Sequence, residues 1–568
     1  MQSFSSTHAA SAVAALLSIG LLAACGSSSL PSAQLSSVPV PPPAEIVPAK
    51  AFDLTVASPA ADTLTGAATT AIAATVFVPK HAKAASYPLI VHSHGWGGKR
   101  VTESGANTNN QNADTSTLYS RVVDNEVKKF WDDGYAVISF DERGIGQSGG
   151  QVRVMDPNFE TRDAMALIDW ADKNLDLLRD AHGDPKIGTI GGSYGGGFQT
   201  LLAAKDPRVD AITPSVSWYN LNQALQPDHV LAKGWLAGLC LVAKTDQRKL
   251  DPTIQTTCEE AATNPATRFQ EDLAASGTTT TRYFDEHSPS AFEKRHNDPA
   301  SGYRMHPVDA LVIQGMRDTL FTVNHAASNY RFLKSLGGDV RLLTHQHGHI
   351  LPAPFSQNLK LGSIRCGNTD TIDAMHRWMD EKLKGQAGRT AGIPGVCISL
   401  DDNNGVNLPE VPVGGAMVVS IAQTTISGAQ NNMMGGMAPA FFPLAAPINQ
   451  AGMVLAGIPL GHITITSSVP GQHAVAFVAI GIQRGGTAPQ VVDYQVRPLR
   501  DDYDHSRVEL NGIGERLQAG DVVGVLVYGA WDEFGAEGQA GNWVSNRFSI
   551  SGTVELPIQS VPIQTVTP

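Results

Sequence analysis

One stretch constrains this chain more than any other: Lys186-Ile187-Gly188-Thr189-Ile190-Gly191-Gly192-Ser193-Tyr194-Gly195-Gly196-Gly197. A short β-rich run stops in glycines with one serine among them, and Phe198-Gln199-Thr200-Leu201-Leu202-Ala203-Ala204 then reads as helix. Gly191, Ser193 and Gly195 form Gly-x-Ser-x-Gly, the pattern of a serine carried on a sharp strand-to-helix turn with its hydroxyl exposed. Such a turn packs the chain tightly against itself, and glycine meets that demand. Strand, turn and helix together make Ser193 a candidate nucleophile at the end of a strand in an α/β sheet.

The surrounding chain supports that placement. From residue 51 to 400, short β-rich runs alternate with helical patterns, which predicts an α/β fold around a mostly parallel sheet. Tyr87-Pro88-Leu89-Ile90-Val91-His92-Ser93-His94 reads as a buried strand closed by Gly95-Trp96-Gly97-Gly98. By analogy with hydrolases that carry a serine elbow, this turn supplies the second oxyanion-hole amide, so the backbone N–H groups of Trp96 and Tyr194 are the expected donors. Tyr135-Ala136-Val137-Ile138-Ser139-Phe140-Asp141 is the next strand. The glycines after it, Gly144, Gly146 and Gly149, do not run into an apolar helix and no Walker lysine follows, so a nucleotide site is not expected. Residues 162–179 have the period of an amphipathic helix.

Val308-Asp309-Ala310-Leu311-Val312-Ile313-Gln314-Gly315 resumes the sheet, and Asp318 follows it closely. An aspartate just past a strand end reaches across the top of a sheet, so Asp318 is the expected acid; its competing role is a helix N-cap. The last long strand of this region, residues 339–344, runs into His345-Gln346-His347-Gly348-His349. Alternating residues point to different sides and no acidic ligand is adjacent, so a general base is expected here and no metal. His349 is preferred over His347, and Ser193, Asp318, His349 is the chain order such folds use.

Taken together, Asp141-Glu142-Arg143-Gly144-Ile145-Gly146-Gln147-Ser148-Gly149-Gly150, the helix containing Ile168-Asp169-Trp170, and Gly191-Gly192-Ser193-Tyr194-Gly195-Gly196 resemble the peptidase S15 group of α/β-hydrolases. That group includes cocaine esterase, X-Pro dipeptidyl-peptidases and related acyl hydrolases. The resemblance implies an α/β-hydrolase fold with a helical cap inserted between nucleophile and acid, over about residues 215–306. Residues 220–244 and 259–276 read as the cap helices, and Trp218, Tyr219 and Trp235 are either pocket or core aromatics. Gly348-His349 resembles the family's glycine-histidine turn, and Leu455-Ala456-Gly457-Ile458-Pro459-Leu460 the start of its C-terminal domain.

Past Asp401-Asp402-Asn403-Asn404-Gly405, read as a linker, the helical period disappears and strands alternate with turns, which predicts an all-β jelly-roll sandwich over residues 401–568. Gly-, Met- and Ala-rich residues 428–452 read as a surface loop. Trp531, Phe534 and Trp543 suggest either a sugar platform or, as preferred here, packing within the sandwich.

The chain opens with an apolar run, residues 10–24, too short to span a bilayer as a mature helix, and it ends at Leu22-Ala23-Ala24-Cys25. This resembles a bacterial lipobox and makes residues 1–25 a lipoprotein-type signal with Cys25 lipidated, although no Lys or Arg precedes the run. Ser- and Pro-rich residues 26–50 read as a disordered tether. The remaining Cys240, Cys258, Cys366 and Cys397 are an even set that allows three disulfide pairings. Cys240 with Cys258 and Cys366 with Cys397 are favoured because each pair lies within one local unit. A formal charge of -12, spread without long blocks, argues against a nucleic-acid partner.

The expectation is an exported, membrane-anchored serine hydrolase that acts on a small-molecule ester or amide and needs no cofactor. An X-Pro dipeptidyl-peptidase is the alternative; it calls for acidic residues near the cap, and spacing assigns none, since the candidates Glu259, Glu260 and Asp272 read equally as solvated helix faces. A non-enzymatic alternative is a cell-surface lipoprotein whose sandwich binds a polymer or glycan.

Overall fold

Strands flanked by apolar residues on both sides build a sheet buried on both faces. Leu89–Ser93, Ala136–Phe140 and Ile187–Gly192 are buried along their whole length. The computed structural model describes residues 45–108, 119–245, 249–263, 279–351, 362–433, 435–534 and 545–566. The expected signal, Cys25 and the tether up to residue 44 lie outside the described residues. Everything below belongs to one compact unit, Ile46–Pro568.

Among the described residues the central sheet has 11 strands. In spatial order they are Lys50–Ser58, Thr70–Val78, Ala136–Phe140, Leu89–Ser93, Ile187–Gly192, Val209–Ser215, Asp309–Gly315, Val340–His345, Val396–Ser399, Asn404–Leu408 and Ile563–Thr565. Pairing is parallel from Ala136–Phe140 to Val396–Ser399 and antiparallel at both ends. Side chains alternate between the two faces. Leu89, Val91 and Ile138 pack under Glu160–Asn174, Tyr194–Lys205 and Val323–Ser335, while Ile90 and Val137 pack under Tyr119–Asp124, Glu126–Asp132 and Thr371–Lys384. This is the α/β-hydrolase arrangement read from the sequence. The tether is shorter than expected, because Ile46 and Val47 pair with Ala82 and His81.

The cap is more broken than its periodicity suggests. Residues 220–244 divide into Leu221–Leu225, a 3-10 turn at Pro227–His229, and Lys233–Thr245. Pro227 has no amide to donate, and Asp228 and His229 take positive φ angles of 49° and 57°. The second helix starts earlier than expected, at Pro252, and runs to Thr263; residues 264–278 lie outside the described residues. Thr280–Glu286 and Pro289–Asn297 complete the cap. A disulfide joins Cys240 on Lys233–Thr245 to Cys258 on Pro252–Thr263.

Asp401 closes a turn as expected, its Oδ1 accepting from the amides of Asn403 and Asn404 at 2.8 and 2.9 Å. The segment is not simply a linker, however. Asn404–Leu408 folds back onto Val396–Ser399, and Ile563–Thr565 returns to cover its other edge. Val406 and Leu408 are buried with Ile398, so the first lobe's core continues across the turn. The second disulfide, Cys366–Cys397, lies under the opposite face.

The C-terminal region is a β-sandwich. One four-stranded sheet is Met417–Ser427, Arg547–Leu556, Leu460–Ser467 and Val508–Glu509; another is Ala440–Pro443, Val522–Tyr528, Val475–Gln483 and Gln490–Arg500. Its core is Val419, Ile463, Val478, Val525, Phe548 and their neighbours. Residues 428–452, read as loop, contain the edge strand Ala440–Pro443, paired with Val522–Tyr528. Trp531 packs edge-on against Tyr528 at 5.0 Å and Phe534 against Phe477 at 5.6 Å, while Trp543 lies outside the described residues.

Candidate active site

The elbow is built by close backbone approach. Ile187–Gly192 delivers the chain to Ser193, whose φ of 59° lies in the left-handed region, and Tyr194–Lys205 begins directly after it. A Cβ on Gly191 would lie 2.5 Å from the Ser93 carbonyl oxygen, and one on Gly195 only 2.0 Å from the same atom. Only glycine fits at either position. The Ser193 carbonyl accepts from the amides of Gly196 and Gly197, which starts the helix, and its amide donates to the Ser215 carbonyl at 2.9 Å. Strain of this kind persists only where the surroundings fix it from several sides.

Asp318 and His349 follow the ends of two strands further along the sheet, beyond Val209–Ser215: Asp309–Gly315 and Val340–His345. The Ser193 hydroxyl donates to His349 Nε2 at 2.8 Å, and His349 Nδ1 donates to Asp318 Oδ2 at 2.6 Å. Asp318 is fully buried, and its carboxylate is met by donors on every side. The Leu320 and Phe321 amides donate to Oδ1 at 3.1 and 2.7 Å, and Gln314 Nε2 donates to Oδ2 at 3.3 Å. The competing N-cap role is thus also present in part: one carboxylate oxygen organises the turn while the other orients the imidazole. The two loops hold each other, since the Thr319 amide donates to the His349 carbonyl at 3.0 Å and a Cβ on Gly348 would lie 2.7 Å from the Asp318 nitrogen.

The other two histidines face elsewhere. His345 stacks on Tyr119 at 4.2 Å and accepts from the His347 amide, and His347 Nδ1 accepts from the Gly348 amide. Burial drives the His345 pKa well below its ordinary value.

Trp96 and Tyr194 border the same cavity as Ser193, with their rings edge to face at 5.3 Å. The Trp96 indole donates to the Leu239 carbonyl of the cap at 3.0 Å, which ties the expected oxyanion turn to the cap helix. Beneath it, Ser93 Oγ donates to Glu142 at 2.6 Å, and burial raises Glu142 to about 8 and lowers His94 to about 4.

The cavity measures about 70 Å³. Trp218, Phe284 and Phe321 line it with Leu225, Leu236 and Ile254, and among the described lining residues none is an acid, lysine, arginine or histidine. The Cys240–Cys258 bond forms part of the wall as well. Trp218 is buried core and pocket at once, and Trp235 stands edge-on to His349 at 6.0 Å with its indole N–H donating to Thr319 Oγ1 at 3.0 Å. Of the acidic cap candidates, Glu259 is exposed and hydrogen-bonded to Gln255, while Asp272 and the Glu260 side chain lie outside the described residues.

Sequence reasoning missed Gln314, Trp235's place beside the base, and a buried Glu533 from the sandwich that hydrogen-bonds Thr319 and Trp235. None has a local signature, because each is recruited by packing.

Residues 68–351, half of the chain, match the X-Pro dipeptidyl-peptidase (S15) family. The chain belongs to the S15 family. Among curated proteins, this S15 chain is 35% identical over 89 residues to an uncharacterized 31.7 kDa protein in the traX-finO intergenic region of Escherichia coli, over 16% of this chain and 29% of that protein. It therefore spans less than a third of that relative's length. Among solved structures, a CocE/NonD family hydrolase from Staphylococcus aureus superposes with a TM-score of 0.56 at 12% identity, covering 90% of this chain and 97% of that one. An alpha-amino acid ester hydrolase gives a TM-score of 0.55 at 14% identity over 90% and 97%. At such identities the likeness is one of fold, and it runs through both lobes.

Proposed function

We propose that this chain is an exported serine hydrolase that cleaves carboxylic esters of short, uncharged acyl groups through Ser193, His349 and Asp318. The observation that carries the reading is the hydrogen-bonded series from Ser193 Oγ through His349 to buried Asp318, opening on an apolar cavity. His349 Nε2 takes the hydroxyl proton as Ser193 attacks the carbonyl, while Asp318 fixes the tautomer that leaves Nε2 free to accept. The amides of Trp96 and Tyr194 hold the developing oxyanion, and Asp318 stabilises the imidazolium. His349 then protonates the leaving alcohol, and water repeats the sequence to release the acid.

Cavity size and lining argue for the acyl group. A dry cavity of about 150 Å³ holds benzene, so a space of about 70 Å³ suits an acyl chain of a few carbons. With no carboxylate among the described wall residues, the cavity shows no ion-pair partner for a substrate ammonium, which favours neutral esters over the peptides named by the family. Two disulfides support a protein exported to an oxidising compartment, and Cys25 after Leu22-Ala23-Ala24 supports a lipid anchor there.

The test is turnover of p-nitrophenyl acetate, butyrate and octanoate against Xaa-Pro p-nitroanilides by protein lacking residues 1–25, with Ser193→Ala and fluorophosphonate labelling as controls. The expected result is butyrate or acetate hydrolysis and labelling, both lost in Ser193→Ala. Anilide cleavage would replace the ester reading with the peptidase one, and silence on all substrates without labelling would favour a binding protein.

A further inference from the structure

We infer that Gln495, from the C-terminal sandwich, is a positioning residue for the acid of the catalytic series, a role that rests on the hydrolase reading above. Its side chain is buried, and its single amide nitrogen donates to two backbone carbonyls of the acid turn, Met316 and Asp318, each at 2.9 Å. Only this orientation of the amide works, since the flipped one would set an oxygen against both carbonyl oxygens.

The Leu320 and Phe321 amides on Asp318 Oδ1 hold the later part of the turn, but its main-chain closure before Asp318 is weak. Its own closing contact, from the Asp318 amide to the Gly315 carbonyl, is 3.4 Å, at the limit of a hydrogen bond. On one side the histidine loop supports it, with the Met316 amide donating to the His345 carbonyl at 2.8 Å and the Thr319 amide to the His349 carbonyl at 3.0 Å. Gln495 supplies the other side, from a part of the chain 177 residues away.

The strand that carries Gln495 is distorted to deliver it. Gln490–Arg500 pairs with Val475–Gln483 in regular antiparallel register at Val496 opposite Ala479, and again at Val491 opposite Gly481. Between those pairs the strand has four residues, 492–495, where its partner has only Ile480. Two of the four, Asp493 and Tyr494, are not glycine yet take φ angles of 52° and 60°. Bulges re-aim side chains, and left-handed non-glycine residues occur where the surroundings enforce them. Enforcement is visible here: the Gly514 amide donates to Asp493 Oδ2 at 2.8 Å, and Gly514 lies so close to the first lobe that a Cβ would be 2.2 Å from the Ser399 carbonyl oxygen. The bulge is clamped onto the first lobe, with Gln495 pointing at the acid.

Mispositioning the acid by a fraction of an ångström to 1 Å should lower turnover without changing the apolar cavity. The test compares Gln495→Met, of similar size but without donors, with Asn324→Ala. Asn324 bonds the Leu510 carbonyl and the Gly512 amide at the same interface between lobes but does not touch the acid turn. Expected for Gln495→Met are a fall in kcat on the order of tenfold to a hundredfold, KM within about twofold, and loss or broadening of the far-downfield proton resonance of the Asp318–His349 hydrogen bond. Asn324→Ala should keep all three near wild type. Wild-type kcat and resonance in Gln495→Met would overturn the inference, as would an equal loss in Asn324→Ala, which would mean that lobe docking alone matters. Should Gln495→Met not fold, Gln495→Glu, of the same size with an acceptor in place of the donor, is read in the same way. The resonance requires no substrate, so it reports on Gln495 even if wild-type protein proves inactive and the hydrolase reading fails.

Discussion

Breaking the Cys240–Cys258 bond should impair substrate binding far more than it impairs global folding. The bond closes a loop with a sequence separation of 18, and the chain-entropy relation gives a loss of about 3 kcal/mol. Spread over a compact unit of about 520 residues, with an unfolding entropy of roughly 1.1 kcal/mol/K, this lowers Tm by only about 3 °C. Locally the same loss multiplies the opening equilibrium of the cap by roughly 150. Both cysteines are in the cavity wall with Leu236, Leu239 and Ile254, and Leu239 also receives the Trp96 indole, so cap opening removes one side of the proposed acyl site. The assay pairs steady-state kinetics on a butyrate ester with limited proteolysis and thermal unfolding for Cys240→Ser/Cys258→Ser and for Cys366→Ser/Cys397→Ser. The cap variant should show KM raised about tenfold or more, first cleavage in the cap, and a Tm lowered by a few degrees. The second bond, with a separation of 31, is worth about 4 kcal/mol by the same relation but lies under the far face of the sheet, so its removal should lower Tm and leave KM alone. An unchanged KM in the cap variant, or an equal rise in both variants, would refute the argument that this bond holds the acyl site.

Three further outcomes are expected. Burial raises the Glu533 carboxyl from 4.5 to about 8, so the unfolded chain releases this proton from about pH 4.5 upward while the folded chain keeps it until about pH 8. Stability from this group is therefore full below the lower value and lost as pH rises through the window. Glu533→Gln should flatten the fall of Tm across that range, and an unchanged slope would show that Glu533 does not carry it. Ile254→Ala, in the cavity wall, should cost about 2–5 kcal/mol of stability and raise the hexanoate-to-butyrate ratio of kcat/KM by up to about tenfold; an unchanged ratio would place the acyl chain elsewhere. Gly195→Ala sets a Cβ 2.0 Å from the Ser93 carbonyl oxygen, so the elbow must shift and fluorophosphonate labelling should be lost. Full labelling would refute the close approach.

How much of this was legible in the sequence depends on how local each constraint is. The elbow is a steric problem solved within a few residues, so Gly191, Ser193, Gly195 and the apolar run before them announce it. Asp318 and His349 could be singled out because strand ends in a parallel sheet converge on one edge, and the structure brings both to Ser193. The two favoured cysteine pairs are bonded because each joins neighbours within one unit. Strands Lys50–Ser58 and Thr70–Val78 escaped notice since Ala, Ser and Thr make their alternation faint. The sheet's far edge was hidden for a different reason. Ile563–Thr565 pairs with residues more than 150 positions earlier, and nothing in either short segment encodes the other. Gln314 and Gln495 belong to the same class: an amide buried in a strand reads as an ordinary polar residue until its partners are known.

The constraints on the three residues of the proposed mechanism therefore differ in origin, and on that proposal the two lobes divide the work accordingly. Ser193 is fixed by backbone contacts within the sheet itself, which no cap or sandwich is needed to complete. The acid and base sit on loops whose hydrogen bonds run mostly to each other, to Gln314 and to Gln495. An apolar cavity binds ester and transition state about equally, so it selects substrates without accelerating the reaction. In the proposed mechanism acceleration would come from the preorganised amides and from the Asp318–His349 pair, and preorganisation is what the inferred role of Gln495 would add. On this view the cap decides what is hydrolysed, and the sandwich helps to decide how fast.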